Sequence, residues 1–139
     1  MEITFDFPHV FEPEASQVEN ALVLNKLLEM MIAVNLDYLR YHSVPPLYRS
    51  GVRYAKTRVW LPIPALYRDG LGDCKSLTAA LVAEYRSQRL YANPVFRFIE
   101  NKNKGPGVLD FHILVQTSTG FEDPSKVLGM PHSEVMKFG

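Results

Sequence analysis

The sequence predicts an α+β fold, and three features of it lead there. A long helical repeat lies near the N-terminus, a second opens at Cys74, and the apolar segments after it alternate as consecutive antiparallel strands do. At 139 residues the chain holds one domain, since a single core buries enough surface at this length and two would not. Hydrophobic residues at 47% and charged residues at 22% suit a chain that folds alone, and exclude disorder, collagen-like repeats and coiled coil.

The elements can be justified in order. Ile3, Phe5 and Phe7 alternate with Thr4 and Asp6, which predicts a short strand ahead of a loop bounded by Pro8 and Pro13. Ser16 is a good N-cap, with Glu19 three residues on in capping-box spacing. Leu24, Leu27, Leu28, Met31, Val34 and Tyr38 then recur at three- and four-residue steps, giving one apolar face to a helix of about six turns. Ser43-Val-Pro-Pro ends that helix and closes a first part, residues 1–43, because proline removes a donor and biases the preceding residue away from helix.

Residues 44–73 carry Pro45, Pro46, Pro62 and Pro64, glycines at 51, 70 and 72, and the aromatics Tyr48, Tyr54, Trp60 and Tyr67. They read as a loop with short local structure, of a length that usually serves function, and the aromatics suit an ordered wall or lid of a cleft. The second helix runs from about Cys74 to Gln88. Leu77, Leu81 and Tyr85 follow Cys74 at helical offsets, so the thiol stands in the first turn on the apolar side. Pro94–Glu100 and Val108–Gln116 predict strands joined by the polar loop Asn101–Gly107, and Phe121–Asp123 predicts a third after Thr117-Ser-Thr-Gly. These elements make up residues 74–130, and residues 131–139 are a C-terminal tail.

Fifteen basic residues balance fifteen acidic ones, so bulk charge selects no partner, and nucleic acid is not expected as a ligand. Zero net charge also gives little protection against self-association and leaves oligomeric state open. The start is acidic and alternating where a signal peptide would be basic and then apolar. The apolar region 21–39 is broken by Asn25, Lys26, Glu29, Asn35 and Asp37, so no membrane crossing is expected. A single cysteine excludes an intramolecular disulfide, and with four scattered histidines it argues against a structural zinc site.

That cysteine is the first candidate for chemistry. Unpaired N–H groups and the macrodipole at a helix start favour thiolate over thiol, so the Cys74 pKa is expected below its ordinary value. Glycines at 70 and 72 would let the backbone turn into the helix and leave room for a substrate. The plain alternative is a small buried hydrophobe. His112 then sits in an apolar strand on the face of Asp110 and Leu114, where it needs a partner. A four-residue hairpin loop would set Asp123 opposite Leu114, making it the diagonal neighbour of His112 at about 7–8 Å between backbones. A three-residue loop would turn it to the other face. A cysteine opening a helix, a strand histidine and an aspartate on the next strand are what a thiol nucleophile, its base and the group orienting that base require. His9, His42 and His132 lie in or beside loops without metal-ligand spacing. Arg40, Arg49, Arg53, Lys56 and Arg58 read as a solvated face.

Gly72-Asp-Cys-Lys-Ser-Leu-Thr-Ala-Ala-Leu, His112 in Asp110-Phe-His-Ile-Leu-Val and Asp123 in Gly120-Phe-Glu-Asp-Pro-Ser resemble the motifs of the transglutaminase-like superfamily, relatives of papain-type cysteine proteases. The resemblance covers roughly residues 45–130. Pro46-Leu-Tyr-Arg-Ser-Gly-Val-Arg-Tyr and Glu122-Asp-Pro-Ser-Lys-Val-Leu-Gly-Met are further similar to small transglutaminase-like proteins of tailed bacteriophages and prophages. It implies a papain-like fold, with the cysteine helix packed on an antiparallel sheet. Cys74 would be nucleophile, His112 general base and then acid, and Asp123 the orienting group. The oxyanion would be held by the Cys74 N–H and one more donor. Trp60 is the candidate for it, because some superfamily members use an indole; Tyr54 and Asp73 are further cleft candidates. Lys75 and Arg58-Val-Trp depart from more acidic patterns and bear on substrate preference. The implied activity is cofactor-free acyl transfer on peptide or glutamine amides, as a peptidase, amidase or cross-linking enzyme. Its setting would be the host-cell cytoplasm or the virion. A virion structural or assembly protein using the fold for contacts with phage proteins is the alternative, and a metal-binding protein a weaker third.

Overall fold

The structure is a computed structural model that describes residues 17–101, 103 and 109–137. His9, the strand expected at 3–7, the Ser16 cap and most of the 101–107 loop lie outside these residues. Helix α1 spans Gln17–Tyr41. Leu24, Leu28 and Ile32 are buried at four-residue steps, and Asn35 continues the stripe with no exposed surface. Val34, expected on this face, is instead 54% exposed. Six residues beyond Leu28 is about 240° around a helix, so Val34 has turned away from the core while Ile32 has not.

Asn35 explains how the next segment begins. Its Oδ1 accepts a hydrogen bond from the Ile63 N–H at 2.8 Å. That N–H opens helix α2, Ile63–Asp69, whose preceding residue Pro62 supplies no side-chain cap. Residues 44–73 are therefore more structured than a loop. They contain a 3-10 turn at Leu47–Arg49, strand β1 at Arg53–Tyr54, α2, and strand β2 at Leu71–Gly72. Strands β1 and β2 pair in parallel, with Arg53 opposite Leu71 and Tyr54 opposite Gly72. The prolines that suggest a loop in fact start a helix, because the first turn has no use for the N–H that Pro64 lacks. Gly70 ends it in the left-handed conformation, φ 76°.

Helix α3, Cys74–Ser87, is the centre of the molecule. Cys74 and every residue from Ser76 to Ala83 are buried, because α3 packs against α1, the sheet and the segment after it. Arg86 ties its end to α1 through Glu29 at 2.9 and 3.2 Å, and to the Ala92 carbonyl at 3.0 Å.

Strands β3 (Ala92–Glu100), β4 (Leu109–Thr117) and β5 (Gly120–Glu122) form an antiparallel sheet in that order. Phe96 faces Ile113 and Arg97 faces His112. Ile113 and Val115 are fully buried in the core shared with α3. Two short helices follow, α4 at Pro124–Val127 and α5 at His132–Met136, so the expected tail folds into a helix of its own. The architecture is α+β. Among the described residues no helix is long and apolar enough to cross a membrane.

Candidate active site

The site is built on the start of α3. Asp73 caps the helix by accepting from the Lys75 N–H at 3.1 Å, and its other oxygen pairs with the Lys75 ammonium. Gly72 is held to glycine by packing. A Cβ there would lie 2.5 Å from Leu66 Cδ1 and 3.3 Å from Ser76 Cβ, so the space serves α2 and not a substrate.

His112 lies in β4 and is 2% exposed. Thr117 pairs with Gly120, Gln116 with Phe121 and Val115 with Glu122. Continued by one residue, that register sets Asp123 across from Leu114 on the His112 face of the sheet, as expected, although pairing extends to Thr117 and Gly120 and leaves a two-residue loop in place of four. Asp123 Oδ2 meets His112 Nε2 at 2.9 Å. The other oxygen, Oδ1, accepts from the Lys126 N–H at 3.2 Å and caps α4. Asp123 thus lies one residue past β5, in a capping position, where the sequence suggests the end of a strand.

Cys74 and His112 line one cleft of about 340 Å³. The backbone of Ile113, next to His112 in the chain, acts on the thiol by lowering its pKa. A larger cavity of about 510 Å³, near the C-terminal ends of α1 and α3, contains none of the three candidate residues.

The thiol is not activated in this resting state. Burial raises its pKa first and the Asp73 carboxylate next, while Lys75 and the Ile113 backbone lower it; together they push it up to about 12. The expectation of a lowered value fails because Cys74 is only 9% exposed. A helix start offers about half a positive charge, which does not replace the water stripped from a buried thiolate.

The other candidates divide. Tyr54 lines the cleft and its hydroxyl donates to Glu134 Oε2 at 3.4 Å. Burial first, then Glu134, Cys74 and Asp73 raise the Tyr54 pKa, so its O–H stays a donor. Trp60 is half-buried against the core and does not line the cleft; the Lys75 ammonium lies 5.9 Å from its ring centroid. Met130, Glu134 and Lys137 also line the cleft. Glu134 was missed in the sequence because α5 is five residues long, too short for a readable helical period, and Met130 and Lys137 lie just outside it. His42 stacks on Tyr38 with ring centroids 4.1 Å apart, and both His42 and His132 are exposed. Arg40, Arg49, Arg53, Lys56 and Arg58 are exposed as expected of a solvated face. Among the described residues no group of three or more His, Cys, Asp or Glu could hold a metal ion.

Compared with protein-family models, curated proteins and solved structures, the chain finds no match.

Proposed function

We propose that this chain is a thiol-dependent acyl-transfer enzyme, transglutaminase-like in its chemistry, acting on peptide or glutamine amides. The observation that carries the proposal is the 2.9 Å contact between His112 Nε2 and Asp123 Oδ2, made at a cleft that Cys74 also lines. An Nε2–H donating to the carboxylate puts the basic lone pair on Nδ1, the nitrogen that would receive a proton from the thiol. With the thiol raised to about 12, that proton moves during attack and not before it.

In the first step Sγ bonds the amide carbon while its proton passes to His112. The oxyanion would draw on the Cys74 N–H, which has no acceptor within the first turn, and on the Tyr54 hydroxyl once it turns from Glu134. The carbon–nitrogen bond then breaks as His112 returns the proton to the departing amine, leaving a thioester. Water or a second amine attacks the thioester, and His112 again carries the proton. No cofactor is needed.

Burial of Cys74 and its raised pKa favour a second proposal, a virion structural protein in which the same fold acts through contacts alone. Ammonia release from a blocked glutamine peptide separates the two. The enzyme loses all release in Cys74→Ala and about 10²- to 10⁴-fold in His112→Ala; a contact protein releases none in any form.

A further inference from the structure

We infer that the cleft selects substrates with a carboxylate beside the scissile amide, and that Lys56 and Lys137 are the residues that read it. The inference rests on the acyl-transfer proposal for the same cleft. Six charged side chains line it: Asp73, Asp110, Glu134, Lys56, Lys75 and Lys137. Each carboxylate is already engaged. Asp73 pairs with Lys75, Asp110 accepts from Asn101 Nδ2 at 2.6 Å, and Glu134 accepts from the Tyr54 hydroxyl. Lys75 is taken up by Asp73 and also reaches the Thr57 carbonyl at 3.5 Å. The Lys56 and Lys137 side chains are exposed and make no ion pair or hydrogen bond among the described residues.

The charges of the cleft sum to zero, yet its hydrogen bonds do not balance. Among the described residues its anions are engaged and two of its cations are not, so a bound carboxylate completes that set while a bound cation meets two ammoniums with no counter-ion there. The two lysines come from separate parts of the chain, Lys56 just after β1 and Lys137 just after α5. Exposed lysines at a rim contribute selectivity that salt screens. A glutamate side chain and a C-terminal carboxylate offer the same chemistry.

The test measures binding to Cys74→Ala protein by fluorescence anisotropy, so that it needs no turnover. Three labelled glutamine peptides serve as probes: one blocked with glutamate flanks, one blocked with serine flanks, and one serine-flanked with a free C-terminus. At low ionic strength at least one carboxylate peptide should bind about tenfold tighter than the neutral one, and which does so identifies the source of the carboxylate. The preference should shrink with salt and vanish when Lys56→Gln and Lys137→Gln are added. Equal affinities, no binding by any peptide, or a preference that survives loss of both lysines would overturn the inference. Ammonia release by the unmodified protein is scored separately. Its absence alongside a lysine-dependent preference sinks the acyl-transfer proposal and leaves the selectivity standing.

Discussion

The two oxygens of Asp123 do different work, one on His112 Nε2 and one on the first turn of α4. They can be tested apart. Asp123→Asn keeps an Oδ1 to cap α4 but then presents an N–H donor to His112 Nε2, so acyl transfer should fall by about 10² or more with little change in urea midpoint. Asp123→Ala should lose the activity and about 1 kcal/mol of stability besides. Gly72→Ala should destabilise by about 1–3 kcal/mol, because its Cβ would press on Leu66 Cδ1; an unchanged urea midpoint would show that α2 can shift. At this scale the positions of Cys74, His112 and Asp123 were legible in the sequence, since each follows from element period and turn length. The state of the thiol was not. Desolvation depends on what α3 is packed against, and no local pattern around Cys74 records that.

Among the elements, α1 supplies the start of α2 with one buried amide acceptor. Asn35→Ala removes the acceptor for the Ile63 N–H and should cost about 1–3 kcal/mol, read as a lowered urea midpoint. The same residue shows why the α2 helix within segment 44–73 was not readable. Its cap comes from another helix, 28 residues earlier in the chain, so nothing beside Pro62 announces a helix start. The α3 boundaries and the three sheet strands were readable to within two residues, because capping, period and turn residues agree locally. The C-terminal helix was not readable, and its link to the cleft is the Tyr54–Glu134 hydrogen bond.

Across the whole molecule, burial sets both the stability and the reactivity of the site. Folding raises the pKa of Cys74 from 9.0 to about 12 and that of Tyr67 from 10.0 to about 12, and raises Tyr48, Tyr54 and Tyr85 as well, burial being the largest cause for each. A raised group holds its proton more tightly in the native state. The full stability is therefore present below the unfolded values and is lost as pH rises through the window between unfolded and folded pKa. The urea midpoint should fall from about pH 9 upward, and less steeply in Cys74→Ala. An identical slope in the two proteins would mean that the thiol is solvated in the folded state.

The central claim is that Cys74, His112 and Asp123 act as one unit. Its most direct test is the acylation burst with p-nitrophenyl acetate near neutral pH, followed by mapping of the acetyl group. The account predicts one equivalent of acetyl on Cys74, with the burst rate reduced by about 10²-fold or more in both His112→Ala and Asp123→Asn. Equal, slow acetylation of all three proteins, or acetyl groups on surface lysines and none on Cys74, would contradict it.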